Sequence, residues 1–213
     1  DVTFVCDGRI ALDLSARFME RLAKKAFEDG SFKFPFTACG GIALVKPHFP
    51  FYRAYDLAES LCSSAKARCK TGGRAPESCW LDYQIVYSGL PTELDSYRRS
   101  KYSVPGMKAP QSGYNLMWRP YCVTGAQTED DRRRLWDKAR ENLERLIEKW
   151  PRSKLKGLRE ALCSSLEEAK LFCSECQSRE YLLPEDPHSP FIETDSGMKT
   201  QWFHLLELLA SYK

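Results

Sequence analysis

Few residues in this chain are of types that could do chemistry, and they lie far apart: Asp1 at the head of an apolar run, Asp7, His48, the basic series Lys66, Arg68 and Lys70, and the pair Cys173 and Cys176. A carboxylate that opens a strand, as in Asp1-Val2-Thr3-Phe4-Val5-Cys6, can be the second half of a metal-binding hairpin. Taken alone, an opening aspartate reads as a solvated chain end. Lys66 and Lys70 stand one helical turn apart, so their ammonium groups share a face and can reach phosphate oxygens as compact point charges. Lysines near a helix C-terminus also complement the helix dipole with no ligand present. Asp7, in Cys6-Asp7-Gly8, is explained by a turn. His48, His188 and His204 are far apart in sequence and accompany no nucleophile motif, so acyl transfer has no support. Arg98, Arg99 and Lys101, interleaved with Tyr97 and Tyr102, read either as a contact to a nucleic-acid backbone or as a solvated charged segment. Cys173 and Cys176 form a lone CxxC; a closed zinc site needs four ligands, and the same spacing lets two small residues share one buried helix face.

The elements that must carry these groups alternate strand and helix over the first 90 or so residues and become mostly helical afterwards. Val2 to Cys6 reads as a strand closed by Cys6-Asp7-Gly8. A helix follows, with Ser15 as its cap, Phe18, Met19, Leu22, Ala23, Ala26 and Phe27 as its stripe, and Gly30 as its stop. Thr37 to Val45 is a second strand, apolar or small on both faces, where Gly40 and Gly41 mark either tight packing or the approach of a ligand. The second helix turns Tyr52, Tyr55, Leu57, Ala58, Leu61, Cys62 and Ala65 toward the sheet. A third strand, Leu81 to Tyr87, alternates as if one face were wet. Beyond a loop rich in Pro and Gly, Leu116 to Tyr121 docks the second part to the first. Thr128-Glu129-Asp130-Asp131 caps a helix with the stripe Leu135, Ala139, Leu143, Leu146 and Trp150. Pro151 breaks it, and Ser153 caps a partner helix running from Leu155 to Cys176, the two forming an antiparallel pair. A last apolar helix spans Gln201 to Tyr212.

At 213 residues with 43% hydrophobic and 29% charged content, the chain has enough apolar material for one large or two small cores. Its net charge of +3 is too small to argue for nucleic acid. Nine cysteines, an odd number scattered through the elements, fit reduced thiols in a cytoplasm. No apolar run approaches the length of a membrane span, so the expectation is a soluble, cytoplasmic protein without a membrane partner.

The strand opening on Asp1, the passage Gly40-Gly41-Ile42-Ala43-Leu44-Val45-Lys46, and the run HFPFYRAYDLAESLCSSAKA ending at Ala67 together resemble the palm of GGDEF-type cyclases. They resemble more closely the second palm domain of the polymerase-like large subunit of type III CRISPR effector complexes and its stand-alone relatives. The similarity covers about residues 1 to 90. It implies an α+β fold, a truncated ferredoxin-like palm with an antiparallel sheet and helices on one face over residues 1–100, followed by a small helical domain over 101–213. It further implies that Asp1 is the second aspartate of a Gly-Gly-Asp-Asp hairpin and a catalytic metal ligand for Mg2+ or Mn2+, and that Lys66, seconded by Lys70, binds the phosphates of ATP or another nucleoside triphosphate. The product would be a cyclic or linear oligonucleotide signal in antiviral defence, with CRISPR effector subunits and guide or target RNA as partners. Two metal ions would clamp the attacking and leaving oxygens of the transfer. With the rest of the hairpin before Asp1, residues 1–213 alone are expected to be inactive. The alternatives are a palm scaffold without catalysis and a GGDEF-type diguanylate cyclase using GTP.

Overall fold

The computed structural model describes residues 2–28, 36–70, 77–87, 93–106, 113–194 and 197–211. In chain order the elements are α1 (Gly8–Glu28), β1 (Cys39–Leu44), α2 (Phe51–Cys69), β2 (Cys79–Ile85), α3 (Leu94–Tyr102), β3 (Ser103–Val104), β4 (Tyr114–Asn115), β5 (Tyr121–Thr124), α4 (Glu129–Arg133), α5 (Trp136–Lys149), α6 (Arg152–Ser164), α7 (Leu166–Gln177), β6 (Ile192–Thr194), β7 (Gly197–Lys199) and α8 (Trp202–Ser211). The chain is α+β and divides into two compact units, Asp1–Thr92 with Arg119–Lys138, and Glu93–Trp118 with Ala139–Lys213. The two are therefore interleaved in sequence, where a single boundary near residue 100 was expected.

In the first unit a three-stranded sheet has the order β1-β2-β5, with β1 parallel to β2 and β5 antiparallel to β2. The expected all-antiparallel sheet is thus replaced by a mixed one, because α2 crosses over between two neighbouring strands as a βαβ unit. Helices also cover both faces, not one. The pairs Gly40–Leu81 and Gly41–Asp82 stand on opposite faces of the pleat. A Cβ on Gly40 would meet Met19 Cε of α1 at 2.5 Å, while one on Gly41 would run into Ala58 O and Cys62 N of α2. The two glycines exist for close helix packing, which settles the choice left open by the sequence. Covered on both faces and flanked by strands, every residue of β2 is buried, so the expected wet face does not form.

Three local readings change for identifiable reasons. Val2 to Cys6 forms no ladder, and Val2, Phe4 and Val5 are exposed. Helix α1 begins at Gly8, not after Ser15, because the Asp7 carboxylate accepts from Arg9 N at 2.9 Å and the Asp7 carbonyl from Ile10 N at 3.1 Å. Ser15 is buried within the helix beside Ala11, Leu12, Ala16 and Met19, whereas Phe18 is 44% exposed. On α2 the buried residues are Leu57, Leu61 and Ala65, while Tyr52 and Tyr55 face outward. The stop assigned to Gly30 lies outside the described residues.

The second unit is not purely helical. It holds a four-stranded sheet of order β3-β4-β7-β6 beside α6, α7 and α8. The long helix expected from Leu155 to Cys176 breaks at Ser165, whose extended backbone (φ −155°) ends α6 and whose hydroxyl accepts from Glu168 N at 3.1 Å to start α7. Pro151, not Ser153, precedes the first turn of α6. The packed pair is therefore α6 and α7, with Phe172 lying so close to Gly157 that an added Cβ would stand 2.7 Å from its ring. Cys173 and Cys176 share the buried face of α7 with Ala169. Among the described residues no helix is long and apolar enough to cross a membrane.

Candidate functional site

The last turn of α2 brings the sequence's two lysine candidates to one end of the first unit's sheet. Helix α2 starts beyond the Leu44 end of β1 and returns along the sheet, so that the Cys62 thiol donates to Cys39 O at 3.2 Å and Cys69 to Ser78 O at 3.3 Å. Cys39 and Cys79 are the first residues of β1 and β2, which fixes this as the strands' N-terminal end. Lys66 and Lys70 are both exposed, and neither makes an ion pair among the described residues. The backbone of Lys70 closes the helix by donating to Lys66 O at 3.1 Å.

Arg68, between them, is committed to structure. Its Nη2 bonds Asp130 Oδ2 at 2.5 Å and Asp131 Oδ1 at 3.1 Å, and its guanidinium lies 5.2 Å from the centroid of the Trp80 ring. Asp130 also accepts from Arg134 Nε at 3.0 Å, and Asp131 completes the capping box of α4 with Thr128. The acidic Thr128-Glu129-Asp130-Asp131 run thus caps a helix, but it is the short α4, which ends at Arg134 before α5 begins, not one continuous helix through Trp150; the run anchors α2 as well, which its sequence does not reveal. Beneath Arg68, Trp80 packs with Ala65 and Cys122, and its Nε1 donates to Ser78 Oγ at 2.7 Å.

The remaining candidates are dispersed. Asp1 lies outside the described residues. Asp7 spends its carboxylate on Arg9, whose side-chain and backbone hydrogen bonds pull it down to about 2. His48 is exposed in the turn between β1 and α2. In the second unit two of the three basic residues of α3 are engaged within the fold, since Arg98 is buried and Lys101 Nζ donates to Glu207 Oε1 at 3.1 Å, whereas Arg99 is exposed. Glu207 and His204, both buried, meet at 3.3 Å, and Tyr102 lies edge-on to the His204 ring at 5.0 Å. Burial draws the Lys101 ammonium down, but the Glu207 carboxylate and Tyr102 outweigh it and the net shift is upward. Sequence reading missed this cluster because Lys101 and Glu207 are separated by 105 intervening residues and match no motif. The one available signal was a His and a Glu inside the apolar α8.

No group of His, Cys, Asp or Glu among the described residues is arranged to hold a metal ion. Chemically, then, the described site offers two exposed ammonium groups over a thiol-rich sheet end, a surface that can bind polyanions. No protein-family model matches the chain, and no curated protein matches it.

Proposed function

We propose that this chain contributes to a palm-type nucleotidyltransferase that condenses nucleoside triphosphates, ATP foremost, into an oligonucleotide signal. The reading rests on the resemblance of residues 1 to 90, and the exposure of both Lys66 and Lys70 at one end of the sheet supports it. Gly8 sits at the Leu44 end of β1, with an added Cβ 3.4 Å from Leu44 Cδ2, while Lys66 and Lys70 sit at the Cys39 end.

In this reading Lys66 and Lys70 bind and orient the triphosphate, and the turn that carries them is held by Arg68 and the α4 carboxylates. The described residues do not by themselves fit a divalent cation, so no step is assigned through one. The test uses the full polypeptide that carries this chain, supplied with labelled ATP and Mg2+, and follows oligonucleotide products. Lys66→Ala should reduce turnover about tenfold or more through a raised KM, the scale expected for losing one charge-assisted phosphate contact. Unchanged kinetics would remove Lys66 from the site; absence of product with any nucleotide would remove the enzyme reading.

A second reading, an interaction module without catalysis, is favoured by a different observation. Ile10, Leu14 and Phe18 recur every four residues along one exposed side of α1, and Val2, Phe4 and Val5 are exposed just before it. Scattered exposed apolar residues are ordinary, but a run of this kind marks surface that another polypeptide covers. Loss of activity on Asp1→Asn in the full polypeptide separates the two readings.

A further inference from the structure

Helix α1 has an outward face that its own sheet does not use. Leu12, Ala16 and Met19 are buried. On the opposite side, within about 120° of arc at 100° per residue, lie Ile10, Leu14, Arg17, Phe18, Arg21 and Lys24, all exposed. Ile10, Leu14 and Phe18 are 53%, 42% and 44% exposed. The residue types change along the axis, not around it: apolar groups fill the first half of this face and cations the second, over about 21 Å. The side chains of Arg17, Arg21 and Lys24 form no ion pair with a described residue. The carboxylates of Asp13 and Glu20 stand to one side, where Asp13 accepts from Trp136 Nε1 at 3.2 Å and Glu20 is half-buried.

We infer that this face docks an acidic amphipathic segment of another polypeptide, which lays apolar side chains over Ile10, Leu14 and Phe18 and carboxylates over Arg17, Arg21 and Lys24. Charge selects the occupant. A second copy of the same face would bring apolar groups and cations but not the missing carboxylates, so self-pairing is disfavoured. A lipid surface is a poor match for a different reason. Helices that lie on membranes carry their cations on the face away from the acyl chains. Here both types share one side, so pressing Phe18 into a bilayer would press Arg17 and Arg21 in with it. A polypeptide can order apolar and acidic groups along its length to suit. The apolar contact holds the partner, and the ion pairs set which partner is accepted and how fast it arrives. The inference rests on the part of the second reading above that treats α1 as covered surface, and adds the chemistry of what covers it.

The experiment titrates the full chain into fluorescein-labelled synthetic helical peptides and follows anisotropy at low salt. Each peptide carries leucines at every fourth residue over one half and glutamate, glutamine or lysine at that spacing over the other, with the halves in both orders. Vesicles of phosphatidylserine and phosphatidylcholine are the lipid probe. The glutamate peptide should bind about tenfold more tightly than the glutamine peptide, the scale of a few exposed ion pairs, and the advantage should fade as salt rises. Arg17→Glu combined with Arg21→Glu should erase that advantage and let the lysine peptide bind instead, an exchange that an unfolded variant does not produce. Leu14→Ser should weaken all three peptides. Equal binding of the glutamate and glutamine peptides overturns the inference while leaving α1 as covered surface. Binding of vesicles in preference to every peptide overturns it in favour of a lipid surface. No binding by any probe overturns both the inference and the reading beneath it.

Discussion

Gly41→Ala tests how the lysine-bearing helix is held on its sheet. The new methyl would collide with two backbone atoms of α2, Ala58 O and Cys62 N, and stand 2.8 Å from Leu61 Cβ. Helix backbone cannot rotate aside as a side chain can, so α2 must lift by on the order of 1 Å to restore ordinary contact. A gap of that size forfeits a quarter to a half of the dispersion energy at each contact it opens, and Leu57, Leu61 and Ala65 are all buried through this interface. We expect a loss of about 3 kcal/mol, toward the upper end for overpacked cores. In a chain of this size that lowers the thermal midpoint by roughly 9 °C. Gly40→Ala is the matched control: its methyl meets the flexible end of Met19 at 2.5 Å and Leu81 Cδ1 at 3.1 Å, and methionine yields readily, so about 1 kcal/mol is expected. Differential scanning fluorimetry gives the midpoints, and amide exchange shows whether α2 opens first. A loss for Gly41→Ala equal to or smaller than that for Gly40→Ala would refute the packing argument.

Glu207→Ala should cost about 3 kcal/mol, because it leaves the Lys101 ammonium without its carboxylate in a largely buried site; Glu207→Gln, which keeps an acceptor, should cost less, and faster amide exchange across α8 is the measurement. Alkali should destabilise the protein. Burial pushes Cys39, Cys122 and Cys173 up to about 12, so the folded thiols stay protonated while unfolded ones ionise near the ordinary value of about 8.5. Their contribution is complete below that value and is lost progressively as pH climbs toward 12, so thermal midpoints should fall between pH 8 and 11, and Cys122→Ala should flatten the slope. The buried phenol of Tyr121, raised mainly by burial, acts in the same direction above about pH 10.

Elements whose periodicity is self-contained were legible in the sequence. The spans of α2 and α8 follow from three- and four-residue spacing and that of β1 from a short run of small and apolar residues, and Thr128 caps α4 with the acidic side chain three residues on. What sequence could not supply was which side of an element meets which neighbour. Helix α1 offers apolar residues on two sides, and only packing against the sheet selects Leu12, Ala16 and Met19 over Ile10, Leu14 and Phe18. Strand β2 looked half wet because Asp82 and Gln84 alternate with Leu81 and Tyr83. Yet Asp82 is buried and accepts from Tyr83 N at 2.8 Å, and Gln84 Oε1 accepts from Arg119 Nη2 at 3.4 Å, so polar residues can line a buried strand when partners arrive from elsewhere. Arg119 itself, stacked 4.4 Å from the Tyr83 ring centroid, comes from a stretch expected to dock the second part, and β5 just after it was not anticipated at all. A four-residue strand carries too little pattern to be told from a loop.

The division of labour on the last turn of α2 is a consequence of helical spacing. With 100° between successive residues, Lys66 and Lys70 fall about 40° apart and share an outward face, while Arg68 falls roughly 160° to 200° from both. That rotation is what lets Arg68 reach Asp130 and Asp131 and cover Trp80 while the two lysines stay in water. Ala65 and Cys69, on the sheet side, meet Trp80 and Ser78. A half-buried anchor and an exposed cationic pair therefore coexist within five residues without competing for carboxylates. Had Arg68 and Lys66 exchanged places, the ammonium would have been drawn into the Asp130–Asp131 pair and the guanidinium left outside, a turn equally basic by composition but with no planar group to lie over Trp80. Composition alone could not distinguish those two arrangements; the ion pairs do.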